Sequence, residues 1–114
     1  IVTREITDAA DLAQILSSET SPFDRDKTIE ATVTLLRRLS RTWAYHPDLN
    51  VKNVLIAADD EGEPLAYIID VDTLRFAEKN SERMNVARLL RSARKWLNKD
   101  GSPGFAQLIE RLGG

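Results

Sequence analysis

A mainly helical α+β domain with one small β-hairpin is the architecture this sequence predicts, on three observations. Apolar residues recur at helical spacing in three separate stretches, and two short β-type runs flank an acidic, glycine-bearing turn. No internal repeat, low-complexity tract or long linker divides the chain. Its 114 residues, 42% hydrophobic and 30% charged, therefore predict a single domain around one modest core.

The chain opens on a β-type segment, Ile1 to Ile6, followed by Thr7 and Asp8 as helix-starting residues. Leu12, Ile15 and Leu16 then recur at helical spacing, which predicts a small helix. Ser21-Pro22-Phe23-Asp24 has turn chemistry, with Asp24 placed to cap the next helix. Ile29, Val33, Leu36, Ser40 and Trp43 repeat at steps of four and three, predicting a long amphipathic helix over roughly 25 to 43. Val54 to Ala57 and Ala66 to Ile69 read as a hairpin closed by Asp59-Asp60-Glu61-Gly62-Glu63-Pro64. Beyond Asn80-Ser81, the apolar face of Val86, Leu89, Leu90, Ala93, Trp96 and Leu97 predicts a helix stopped at Asp100-Gly101. A last helix starts near Ser102-Pro103 and ends at Gly113.

Composition narrows the chemistry. Cysteine is absent, so neither a disulfide framework nor a thiolate metal site is available, and any metal must take oxygen ligands. A net charge of −2 gives no footprint for nucleic acid, and no stretch approaches the ~20 apolar residues that span a bilayer. The expectation is a cytoplasmic protein, soluble or peripheral at a membrane. Ile1 stands first in place of Met and leads straight into a strand-like segment, which predicts preceding residues and a fragment of a larger protein.

The strongest local signal is His46-Pro47-Asp48-Leu49-Asn50-Val51-Lys52-Asn53, followed after Val54-Leu55-Ile56 by Tyr67-Ile68-Ile69-Asp70-Val71-Asp72. This combination resembles the catalytic loop and metal-binding segment of protein kinases, in which H-R-D-L-x-x-x-N precedes a hairpin with a metal-binding Asp at its end. His46, Asp48 and Asn53 fall in register, and Asp70 stands at the far end of the hairpin. The resemblance implies a kinase-like C-terminal lobe whose hairpin carries the metal-binding segment. Phosphoryl transfer needs a carboxylate near the acceptor hydroxyl and oxygen ligands for Mg²⁺ beside ATP. On that basis Asp48 is the base, with His46 in the same catalytic loop, and Asn53 and Asp70 hold the metal. Lys52, four residues after Asp48, is placed to contact the transferring phosphate, and Leu55 and Ile69 to line the nucleotide pocket.

Pro47 replaces the usual Arg, and Asp70-Val71-Asp72 replaces Asp-Phe-Gly. Asp48-Leu49-Asn50, Ile69-Asp70-Val71-Asp72 and Asn85-Val86-Ala87-Arg88-Leu89-Leu90-Arg91-Ser92 together resemble the Kdo kinase and heptose kinase group, which acts on lipopolysaccharide core sugars. In that group the metal segment usually reads Ile-Asp-Phe-Asp, so Val71 is a departure. The likeness covers nearly the whole chain. It implies that residues 1–6 are a remnant of the interlobe strand and hinge, with Glu5 and Ile6 offering backbone groups to adenine, and that the N-terminal lobe lies outside this sequence.

The implied activity is ATP-dependent phosphorylation of a sugar hydroxyl on a lipopolysaccharide precursor, at the cytoplasmic face of the inner membrane of a Gram-negative bacterium. Small-molecule kinases of the aminoglycoside or choline type share the His, Asp and Asn spacing, and a catalytically inactive kinase-like binding module is the third alternative. Arg88, Arg91, Arg94 and Lys95 project away from the apolar face of their helix and form either a solvated face or a contact for an anionic membrane, lipid or sugar. As a lone lobe, the chain is expected to bind nucleotide weakly, to lack most activity, and to self-associate through exposed apolar surface around Ile1, Leu55 and Ile69.

Overall fold

A computed structural model describes residues 10–17, 23–47, 49–68, 75–76 and 81–113. The opening strand, its Thr7-Asp8 helix start, and Ile69 to Asp72 lie outside the described residues. Strand β1 (Ala10–Asp11) passes directly into helix α1 (Leu12–Ser17). The start of α1 is fixed by a reciprocal cap between Asp11 and Gln14, a capping-box spacing. Gln14 N–H donates to Asp11 Oδ1 at 2.8 Å, and Asp11 N–H donates to Gln14 Oε1 at 3.0 Å.

Helix α2 (Arg25–Arg41) begins as expected, with Asp24 accepting from the Lys27 N–H at 3.1 Å. Its buried face carries Ile29, Val33, Leu36 and Leu39, together with Thr28 and Thr32. The two threonines bury no unpaired hydroxyl, because each donates to a carbonyl four residues back. The expected extension of this face to Trp43 is incorrect. The helix ends at Arg41, and Trp43 is 55% exposed in the left-handed region at φ 57°. There its N–H closes the helix end on Ser40 O at 3.1 Å. A left-handed residue reverses the chain direction and delivers strand β2 (Ala44–Tyr45) back across the domain.

Strands β3 (Val54–Ala58) and β4 (Pro64–Ile68) form the expected antiparallel hairpin, with Val54 opposite Ile68 and Ala58 opposite Pro64. Gly62 at φ 82° supplies the positive φ of its turn. β1 adds to the outer side of β3, giving the order β1-β3-β4. β2 pairs separately with β5 (Arg75–Phe76), placing Ala44 opposite Phe76 and Tyr45 opposite Arg75. Helix α3 (Ser81–Asp100) stops at Gly101, whose φ is 76° and whose N–H returns to Leu97 O at 2.8 Å. Helix α4 (Pro103–Arg111) completes the chain.

One core unites these elements. Leu12 and Leu16 of α1, Ile56 of β3, Leu89 of α3, and Phe105 and Leu108 of α4 are all fully buried. Each contributes ~1.5 to 3 kcal/mol of burial free energy. Helix α4 approaches α1 closely at Gly104, where a Cβ would stand 2.5 Å from Leu16 O. Exposed ion pairs tie the periphery, Lys27 to Glu63 at 3.0 Å and Arg111 to Glu30 at 2.6 Å.

Candidate active site

Residues 46–53 lie between β2 and β3 and pack against one side of α3. The loop's internal order comes from two asparagines. Asn50 N–H donates to Asn53 Oδ1 at 3.0 Å, Asn53 N–H returns to Asn50 O at 3.2 Å, and Asn50 Oδ1 accepts from Lys52 N–H at 2.8 Å. These contacts set a tight turn that ends where β3 begins, so Asn53 stands at the entry to the hairpin.

Four further bonds hold this turn in the domain. His46 is buried, and its N–H donates to Asn85 Oδ1 at 3.0 Å while the Asn85 amide nitrogen donates to Ala44 O at 3.0 Å. One fully buried side chain thus satisfies both a donor and an acceptor of the β2 exit, leaving neither stranded in the core. Farther along, Val51 N–H donates to Ser92 Oγ at 3.0 Å, and Val51 O accepts from Ala13 N–H at 3.1 Å. The Ala13 donor is one of the first-turn N–H groups of α1 that has no partner inside its own helix.

Asn85 and Ser92 position the loop in a way the sequence does not announce, although both lie in the Asn85-to-Ser92 string. A signal was present: Asn85, Leu89 and Ala93 follow one another at steps of four, and all three are fully buried. A polar residue in such a stripe must find partners within the core. Here the partners are 39 and 41 residues away in the chain.

The expected site residues fall into two groups. His46, Asn53 and Lys52 are brought onto one loop, whereas Asp48, Ile69, Asp70, Glu5 and Ile6 lie outside the described residues. Leu55 is half-buried in β3, opposite Tyr67 on β4 and Asp11 on β1. Tyr67 is 46% exposed, so this face of the sheet presents an aromatic and an aliphatic side chain together. Lys52 does not extend freely into solvent; its ammonium lies 5.3 Å from the Trp96 ring centroid. Of the two alternatives for the basic run, Arg88 does not fit a solvated face: it is half-buried, and its Nε is buried with no hydrogen-bond partner among the described residues.

The hairpin register relates the two ends of the expected metal site. Asn53 immediately precedes Val54, whose partner is Ile68, and Ile68 stands two residues before Asp70 in the sequence. The two-residue pairing of β2 with β5 closes the same region from the other side, joining the chain before the loop to the chain after the 69–74 segment. Among the described residues no cluster of three His, Cys, Asp or Glu side chains converges, and no helix is long and apolar enough to cross a membrane.

The model of the Lipopolysaccharide kinase (Kdo/WaaP) family matches residues 1–106. The chain belongs to this family. A search of curated proteins returns no match. The match bears out the resemblance carried by the 46–53 loop, and it encompasses the Asn85-to-Ser92 stretch that anchors that loop. An α+β domain with a small antiparallel sheet and predominant helix is consistent with the kinase-like superfamily.

Proposed function

We propose that the chain supplies the catalytic loop for ATP-dependent transfer of a phosphoryl group to a sugar hydroxyl of lipopolysaccharide core. The observation that carries this reading is the locked 46–53 turn, which places Asn53 at the end of the hairpin from which Asp70 follows two residues after Ile68. In this reading Asp48 accepts the proton of the acceptor hydroxyl as its oxygen bonds to the γ-phosphorus. The bond from that phosphorus to the bridging oxygen breaks, and ADP leaves. His46, buried and tied through its backbone to Asn85, fixes the entry of the loop. This reading assigns Lys52 to the transferring phosphate, and Leu55 and Ile69, with the backbone near Glu5 and Ile6, to the adenine.

The donor set suits Mg²⁺. Asn53 Oδ1 accepts an N–H from Asn50, and a neutral amide oxygen with the carboxylate of Asp70 would make the hard, oxygen-only donor set this ion prefers. Bound there, Mg²⁺ would neutralise charge on the triphosphate. The pinned turn presents Asn53 without first having to order the loop, which is how a fixed scaffold lowers the entropic part of a barrier.

The family match favours a lipopolysaccharide acceptor over the aminoglycoside or choline type. The site of action we assign is the cytoplasmic face of the membrane that carries this lipid. The test is ³²P transfer from γ-labelled ATP to lipopolysaccharide core precursor by the full-length protein. Asp48→Ala should lower turnover ~10²- to 10⁴-fold while nucleotide affinity changes far less. Unchanged turnover in that variant would overturn the assignment of the base.

A further inference from the structure

Between the 46–53 loop and α3 lies a groove of about 450 Å³. Five cationic side chains line it: Lys52 from the loop, and Arg88, Arg91, Lys95 and Lys99 from α3. No acidic residue accompanies them among the described lining residues. Arg94, on the same helix, is not part of the lining, so the basic run divides into a concave set and an outward residue.

Trp96 forms the floor of this groove. Its ring stacks on Phe105 at 5.8 Å between centroids and draws two ammonium groups toward it, Lys52 at 5.3 Å and Lys99 at 5.4 Å. Cations gathered this way repel one another, and the groove supplies no carboxylate to offset them among the described lining residues. Arg88 adds a second, independent sign, since its Nε is buried with no partner among the described residues. An unpartnered guanidinium Nε on a groove-lining residue favours an anionic ligand over a neutral one.

We infer that this groove is an oxyanion subsite for the acceptor, holding a carboxylate or phosphate already present on the sugar while a neighbouring hydroxyl lies at the catalytic loop. This rests on the kinase reading for the hydroxyl, but not for the anion. Pro47, Leu49 and Asn50 of the loop also line the groove, so a group held there is adjacent to the loop itself. A concave site of this size suits one charged sugar ring, whereas a bilayer surface would meet the convex side of the helix. Arg supplies planar bidentate contacts to an oxyanion, and Lys supplies mobile charge.

Titration of the ¹⁵N-labelled protein by NMR with glucose 6-phosphate, glucuronate and glucose, without nucleotide, tests this. The two charged sugars should shift the amides of Asn50, Lys52 and Ser92 and the Trp96 indole, and glucose should not. Arg91→Gln with Lys95→Gln, both at exposed positions, should weaken binding about tenfold or more, and Arg94→Gln should leave it unchanged. The subsite is overturned if glucose binds equally well or if Arg94→Gln weakens binding as much as the double variant. It is also overturned if ADP causes the same shifts and loses them in that variant, or if only phosphatidylserine vesicles bind. Binding of charged sugars without ³²P transfer by the full-length protein would remove the kinase reading and keep the subsite. Transfer without oxyanion-dependent binding would remove the subsite alone.

Discussion

On one side of β3 the chain turns on residues that satisfy one another locally. Asp59 Oδ1 accepts from Glu61 N–H at 2.8 Å and Glu63 N–H at 2.9 Å, and Asp59 N–H pairs with Glu63 O at 2.8 Å. On the other side, residues 46–53 combine their own asparagine bonds with partners on α3 and α1, at Asn85, Ser92 and Ala13. The hairpin turn is therefore a property of five consecutive residues. The 46–53 loop is a property of the folded domain. A loop that presents reactive groups gains a fixed geometry from this arrangement, at the cost of depending on the helix that anchors it.

The sharpest way to break this contrast is to remove the anchor. Asn85→Ala would leave His46 N–H and Ala44 O without their buried partner, and should cost about 2 to 4 kcal/mol in urea denaturation. A loss below about 1 kcal/mol would show that α3 does not hold the loop. Ser92→Ala removes one part-buried bond to Val51 N–H and should cost about 1 to 2 kcal/mol, with altered amide shifts across the 46–53 loop. Asp59→Ala, by contrast, frees exposed N–H groups that water can satisfy. It should cost about 0.5 to 1 kcal/mol, with shift changes confined to the hairpin turn.

The smallest effect belongs to neither loop. The Glu30 carboxyl is held below the usual carboxylate range, chiefly by its hydrogen bond from Arg111. A depressed acid stabilises the fold above its unfolded pKa and loses that contribution as pH falls through the folded value. Glu30→Gln should therefore remove a small part of the acid limb of the melting-temperature profile, and 1 M salt should shrink the difference because the pair is exposed. A difference that persists undiminished at high salt would contradict this account.

The same contrast explains what could be read from the chain. Asp24, Gly62 and Gly101 act on neighbours within four residues, and each marks the boundary expected of it. Trp43 misled because its spacing from Val33, Leu36 and Ser40 is helical, while the left-handed turn that exposes it leaves no periodic trace. The pairings of β1 with β3 and β2 with β5 involve only two residues each and carry no alternation. For the site, the His46, Asp48 and Asn53 register was legible through its likeness to a known pattern. The bonds from Asn85 and Ser92 were not, because a helical stripe shows that a residue is buried and says nothing of which distant backbone it meets. The cationic groove was half legible: the run from Arg88 to Lys95 was visible, but its division at Arg94 and its closure by Lys52 required the fold.

The stacking of Trp96 on Phe105 beneath the Lys52 ammonium also makes the molecule its own optical instrument. The chain holds two tryptophans, and the other, Trp43, is 55% exposed. Acrylamide, being uncharged, reaches the exposed indole first, so the two emissions separate without labelling. In a Trp43→Phe protein the remaining fluorescence comes from the groove floor alone. A cation near an indole perturbs its excited-state dipole, so any ligand that draws Lys52 away from the ring registers as a shift in emission wavelength, readable in milliseconds by stopped flow.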